Sequence, residues 1–239
     1  MNDLLARAIA AHGGMERWRS LKSATITVVS GGQLWAEKRV VQDSTPRQLT
    51  ISLHEEKTSL FPFGQPDWSM TFTPKRVAIQ TVTGAIIAER VDPRASFAGH
   101  KMDTPWDPLQ RAYFNGYAMW TYVTTPFLLA LPGFGVTEIE AWHEDHEIWR
   151  GLRAEYPPCI ASHSSKQDFY FGPDFLLRRH DYHLDIAGGV AAAQYVYDIA
   201  EADEIRLPTR RRAYLRNSEL QPIRDRLMVS IDFSDARFS

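Results

Sequence analysis

The sequence predicts a mainly β protein: a strongly curved antiparallel sheet of about 11–13 strands, open like a half-barrel, with N-terminal helices and a central apolar helical segment over its concave face. Three observations predict it. Short runs rich in β-branched and aromatic residues recur from residue 24 to residue 233, separated by turn residues. The runs lie too close together for the crossover helices that parallel strands need. One long stretch, residues 112–137, breaks this rhythm and carries no charged residue.

The elements are taken in chain order. Residues 2–13 form an amphipathic helix, since Leu4, Leu5, Ala8 and Ile9 share a face and Gly13-Gly14 stop it. A second helical turn, 15–21, carries Trp18 toward the core. Strands are expected at 24–30 and 33–41, joined by Gly31-Gly32 as a hairpin. Further strands are expected at 48–54, 68–73, 77–82 and 85–91. Asp107 followed by Pro108, with Gln110 three residues on, reads as an N-cap and capping box for a helix to about Thr124. A short apolar piece, 127–131, ends at Pro132-Gly133. Strands resume at 136–142 and 147–156. A hairpin over Gly172-Pro173-Asp174 joins 166–171 to 175–184. Strands at 192–200, 207–216 and 226–233 complete the set.

Length and composition narrow the classes. The 239 residues, 44% hydrophobic and 23% charged, suit one globular domain over 1–239 with a sizeable core. The formal net charge of −2 provides no field for nucleic acid, so no nucleic-acid partner is expected. A single cysteine, Cys159, excludes an intrachain disulfide and reads as a plain thiol. Asp3 and Arg7 flank and break the apolar run at the N-terminus, so no secretory signal is read there and a cytoplasmic protein is expected, or a periplasmic one if a leader has been trimmed away. Asn115, Gly116, Pro126, Pro132, Gly133 and Gly135 interrupt the uncharged stretch, so no integral membrane span is expected either.

Four segments resemble a known family. They are AIAAHGGMERWRSLKSATI at the N-terminus, WSMTFTPKRVAIQTVTGAIIAERVDP, KQDFYFGPDFLLRRHDY and DIAEADEIRLPTRRRAYL. In their strand-and-turn rhythm they are similar to the bacterial lipoprotein-carrier (LolA-like) superfamily. That resemblance implies an unclosed β-barrel with helices over its mouth, whose members carry acyl chains in an apolar cavity.

The side chains then suggest where a ligand would lie. Tyr113, Tyr117 and Trp120 fall at helical spacing on one face, with Trp106 just before the helix. That stripe suits the wall of an apolar ligand cavity, and it equally suits a core helix plugging the sheet. Arg211 sits among small and apolar neighbours on the inner face of its strand, so its guanidinium needs a partner. The candidates are an internal carboxylate, Asp232 or Asp181, or the acidic head of an amphipathic ligand. The leading expectation is therefore binding or carriage of an amphipathic, lipid-like small molecule, with Trp106, Tyr113, Tyr117, Trp120 and Arg211 as ligand-binding residues.

The alternative is a cofactor-independent enzyme doing acid/base chemistry (hydrolysis, isomerisation or cyclisation) on an apolar substrate. Its candidate catalytic residues are His100, His180 and His183. His180 and His183 are an odd number apart on one strand and so point to opposite faces. The run His143-Glu-Asp-His146-Glu lacks metalloprotease spacing and reads as a solvated hairpin tip, so no metal is expected. No phosphate loop, nucleophile elbow or dinucleotide fingerprint occurs, and no cofactor is expected.

Overall fold

In the computed structural model, which describes residues 2–239, the chain opens as its pattern dictates. Asn2 accepts a hydrogen bond from the Leu5 amide and caps α1 (Asp3–Ala11), which buries Leu4, Leu5, Ala8 and Ile9. Helix α2 (Met15–Ser20) buries Trp18, whose indole stacks on Phe127 at 4.1 Å. The strands are β1 (Ser23–Gly31), β2 (Arg47–Ser52), β3 (Lys57–Phe61), β4 (Trp68–Thr73), β5 (Arg76–Thr81), β6 (Ile86–Val91), β7 (Gly135–Glu144), β8 (Glu147–Glu155), β9 (Lys166–Phe171), β10 (Leu177–Leu184), β11 (Val190–Ala202), β12 (Ile205–Arg216) and β13 (Pro222–Phe238).

All thirteen strands form one antiparallel sheet in the order β6-β5-β4-β3-β2-β1-β13-β12-β11-β10-β9-β8-β7. Only the β1–β13 pair joins strands distant in sequence; every other neighbour is consecutive. The sheet does not close, so β6 and β7 are its two free edges. These two strands are consecutive in the chain yet lie at opposite edges. The segment between them must therefore cross the opening, and it carries α4 (Pro108–Thr124). Every residue from Leu109 to Thr124 is buried. The helix packs chiefly on β3, β4 and β5. Its start is the expected capping box: Asp107 accepts from the Gln110 amide at 2.9 Å, and Gln110 accepts from the Asp107 amide at 3.0 Å.

Two expectations are corrected. Residues 33–41 form no strand, and Gly31-Gly32 form no hairpin. A short helix α3 (Leu34–Glu37) occurs instead. Adjacent Leu34 and Trp35 are both buried, which a strand's alternation does not allow on one covered face. The Trp35 indole donates to the Gly31 carbonyl at 3.0 Å and holds the turn. Gly32, at φ +107°, lies so close to the Met228 backbone that a Cβ would meet its carbonyl. Strand β3 escapes the sequence pattern, because Lys57-Thr58-Ser59 shows little apolar alternation.

The tips of two hairpins are type I′-like. Asp145-His146 and Asp203-Glu204 take consecutive positive φ values of 49° and 65°, and 49° and 68°. The charged His143–His146 segment is thus a hairpin tip, as its composition suggests. No helix among the described residues is long and apolar enough to cross a membrane.

Candidate functional site

The concave face is filled rather than hollow. Tyr117 and Trp120 are 0% and 1% exposed, and the Trp120 indole donates to the Ser52 carbonyl at 2.9 Å. The void between Leu34, Phe114, Tyr182, Met228 and their neighbours measures only ≈ 20 Å³, far below the roughly 300–1,000 Å³ of small-molecule sites.

Behind α4 lies a buried polar seam. His163 meets the Tyr117 hydroxyl through Nδ1 at 3.2 Å and the Tyr122 hydroxyl through Nε2 at 3.0 Å. Its ring stacks on Tyr182 at 3.9 Å. Burial pushes its pKa down to about 3, so the imidazole is neutral at neutral pH. A neutral ring offers one donor and one acceptor, which matches two hydroxyls that can each serve either way. His180 stacks on Phe169 at 4.2 Å and meets the Gln167 carbonyl oxygen through Nε2 at 2.6 Å. Burial lowers its pKa well below the ordinary value.

Arg211 joins the same seam, 1% exposed. It donates to Gln194 Oε1 at 2.9 Å and to the Tyr122 carbonyl at 2.7 Å, and its guanidinium lies 4.8 Å from the Tyr122 ring centroid. Burial draws its pKa down to about 10, which still leaves it charged at neutral pH. The inward orientation read from the sequence holds, but the internal carboxylate partners do not. Asp181 faces the convex side and pairs with Arg179 and Arg216, while Asp232 pairs with Arg212. A neutral amide and a carbonyl take the place of a counter-ion.

The remaining histidines are scattered. His183 is exposed on the opposite face of β10 from His180. His100 is half-buried at 5.4 Å from Phe97, away from both. The three candidate catalytic histidines therefore form no common constellation. Among the described residues no cluster of three metal-type ligands occurs.

Two openings reach the surface near α4. The first, ≈ 390 Å³, is lined by Arg94, Tyr113, Tyr156 and the 157–162 loop. Tyr113 thus touches an open cleft from within the core. Arg94 donates to the Ser162 carbonyl at 2.7 Å and to Asp185 at 3.1 Å. Close by, burial raises the pKa of Glu56 well above the usual carboxylate range, and its Oε2 accepts from the Ala161 amide at 2.9 Å.

The second opening is a groove of ≈ 330 Å³ at the N-terminal end of α4. Its apolar wall is Val40, Phe63, Trp68, Ile79 and Trp106, and its polar contribution is Arg39 and Arg111. Trp106 is set by its backbone N–H, which donates to the Lys38 carbonyl at 2.9 Å, with the Lys38 ammonium 4.9 Å from its ring. Arg111 donates to the Val41 carbonyl and to Gln42 Oε1, both at 2.5 Å, and lies 5.1 Å from the Phe63 ring. Burial, then the charge of Arg47, lowers its pKa to about 10. Two buried donors here have no acceptor: the indole N–H of Trp106 and the Nε–H of Arg111. Trp106 is the one residue of the expected ligand-binding set that lines this groove. Sequence reasoning misses Arg111, Phe63 and Trp68, and it misses His163 and Gln194 in the seam. Arg111 sits one turn into α4, and no motif or spacing in the sequence marks it.

No family model matches the chain, and no curated protein sequence matches it. Solved structures do. A LolA superfamily protein from Nitrosomonas europaea aligns with a TM-score of 0.52 over 98% of this chain and 92% of its own, at 7% identity. A domain named for outer membrane lipoprotein sorting, from Vibrio parahaemolyticus, aligns at 0.51 over 99% and 91%, at 10% identity. At such identities the likeness is one of architecture. The resemblance read from the strand-and-turn segments is thereby shown at the level of fold: this chain has the open, LolA-like β fold.

Proposed function

We propose that the protein binds an amphipathic molecule with an apolar, acyl-type tail and an acidic head, in the groove at the N-terminal end of α4. One observation carries the reading. The groove combines an aromatic and aliphatic wall with two buried donors, Trp106 Nε1 and Arg111 Nε, that have no acceptor in the protein. A buried donor left unpaired costs about 1–3 kcal/mol, and a carboxylate or phosphate oxygen relieves that cost. Arg39 and Arg111 line the groove and no carboxylate does, which favours an anionic head over a neutral one. The volume falls in the range of small-molecule sites, roughly 300–1,000 Å³. A neighbour named for lipoprotein sorting shares the fold, but fold does not by itself carry function.

The interior supplies rigidity in this account. Tyr117, Trp120 and Arg211 hold α4 against the sheet, and α4 positions Arg111. The test is a fluorescence titration with a long-chain fatty acid and with the alcohol of equal length. The acid is expected to change tryptophan emission saturably and to bind more tightly than the alcohol. Trp106→Phe, which keeps an aromatic face but loses the indole N–H and the fused five-membered ring, is expected to weaken the acid by about 1.5–3 kcal/mol, roughly ten- to a hundredfold in Kd, and the alcohol by less. Equal affinity for acid and alcohol, or none for either, overturns the reading.

A further inference from the structure

The cleft on the flank of α4 is assembled from pieces of chain far apart in sequence. Its walls come from the β4–β5 turn at Lys75, from Asp92 and Arg94 beside the 3₁₀ turn Pro93–Phe97, from Tyr113 of α4, from the 156–162 segment after β8, and from Asp185 after β10. The 156–162 segment is a fixed wall. The Tyr156 amide donates to the Ser165 carbonyl at 2.8 Å, and the Ile160 amide to the Pro157 carbonyl at 3.0 Å. The Ala161 amide donates to Glu56 at 2.9 Å, and the Ser162 carbonyl accepts from Arg94 at 2.7 Å. A wall ordered before binding spares a ligand the cost of ordering it.

Two polar groups of this wall lack a partner. Tyr156, which lines the cleft, is 7% exposed, and Glu56, which stands behind Ala161, is 8% exposed. The Tyr156 hydroxyl and Glu56 Oε1 are buried and meet no hydrogen-bond partner among the described residues. Folded proteins leave few such groups, so two at one cleft point to a ligand with polar groups of its own.

The charges decide the class of that ligand. Lys75 and Arg94 are matched by Asp92 and Asp185, and Arg94 donates to Asp185 at 3.1 Å. Burial holds the Glu56 carboxyl toward its neutral form. The lining therefore favours neither an anion nor a cation, unlike the groove at the start of α4. It supplies hydrogen-bonding groups of both kinds: ammonium and guanidinium donors, carboxylate acceptors and a phenol that serves either way. Among them lie the apolar surfaces of Tyr113, Tyr156, Pro157 and Ile160.

We propose that this cleft is a second binding site, separate from the groove, for a neutral polyhydroxylated ligand of the saccharide class. A sugar ring carries hydroxyls that both donate and accept around its edge and C–H bonds on its faces, and the lining has the complementary pattern. The cleft's ≈ 390 Å³ falls within the roughly 300–1,000 Å³ of small-molecule sites.

Cys159, the only cysteine of the chain, lines the cleft and is exposed, so its alkylation reports occupancy. The test follows iodoacetamide modification of the full chain by intact mass in the presence of glucose, galactose, mannose, N-acetylglucosamine, maltose or cellobiose. At least one is expected to slow the modification saturably, and its uronic-acid and amino-sugar counterparts are expected to protect less. Tyr156→Phe removes a hydroxyl that the free protein does not use. It is expected to keep or raise the Tm while raising the half-protecting concentration about fivefold. Should that variant fail to fold, intermolecular NOEs from the Tyr113 and Tyr156 rings to the sugar C–H protons in the wild type decide. The proposal is overturned by a panel that protects nothing, by charged counterparts that protect as well, or by protection undiminished in a folded Tyr156→Phe. NOEs to Trp142 and Tyr170 of the convex face instead overturn it too.

Discussion

His12, His163 and His180 are all buried and held neutral by desolvation, His12 at about 4 and His163 at about 3. Above their unfolded value of about 6.5, neither state binds the proton and these groups leave stability unchanged. Below it the unfolded chain takes up protons that the folded chain refuses. Stability then falls by about 1.4 kcal/mol per pH unit for each histidine, until the folded groups titrate near 4 for His12 and near 3 for His163. Glu56 works the other way. Its raised folded pKa favours the folded state in acid, and that contribution is lost as pH rises from its unfolded value toward its folded one. Asp181 and Asp185, also raised by burial, act as Glu56 does, and His100, also lowered, acts with the three rings; the histidines have their unfolded value inside the window and set a positive net slope. The urea midpoint is expected to fall between about pH 7 and about pH 5, and His163→Phe is expected to flatten that slope even though it lowers stability. A midpoint independent of pH in that window would show that these rings are not desolvated.

Residue-level legibility was uneven for a physical reason. Alternation along one strand told that His180 and His183 face opposite ways and that Arg211 faces inward. Their partners depend on pairing between strands distant in sequence. Gln194 comes to Arg211 because β11 pairs with β12, and Tyr122 because α4 crosses above them. His163 lies in a loop of serines with no period to read.

At the scale of elements, α4 decides what the fold can do. Its start was legible because Asp107, Pro108 and Gln110 encode the cap locally. Asp107 also holds Arg90 of β6 at 2.8 Å, so the cap ties the helix to the sheet edge. Asp107→Ala is expected to lower stability by about 1–2 kcal/mol, read as a lower Tm. The helix lies close to the sheet at Gly116, whose carbonyl accepts from Thr58 at 3.0 Å. A Cβ there would sit 2.1 Å from the Phe72 ring. Gly116→Ala is expected to cost about 1–3 kcal/mol through overpacking; a wild-type Tm would mean that α4 can lift off its floor. Residues 33–41 resisted prediction because a pair of glycines signals a turn but does not specify the element after it. Here two adjacent buried side chains, Leu34 and Trp35, demanded a helical turn.

At the scale of the whole molecule, the sequence disclosed an antiparallel meander with a long apolar interruption. It did not disclose that the interruption runs from one sheet edge to the other, since edges are a property of which strands fail to pair. That path fills the concavity with Tyr117, Trp120 and their neighbours and leaves openings where α4 begins and along its flank. The molecule thus offers a ligand its mouth rather than its interior. The most direct test is an amide and indole N–H shift map of the labelled protein during titration with a long-chain fatty acid. The account predicts saturable shifts at Val40, Val41, Gly64, Trp68, Arg111 and the Trp106 indole, with Tyr117, Trp120 and His163 unmoved. Shifts centred on Tyr117, Trp120 and His163 would mean that α4 gives way to an interior ligand, and no shifts at all would mean that the groove binds nothing of this class.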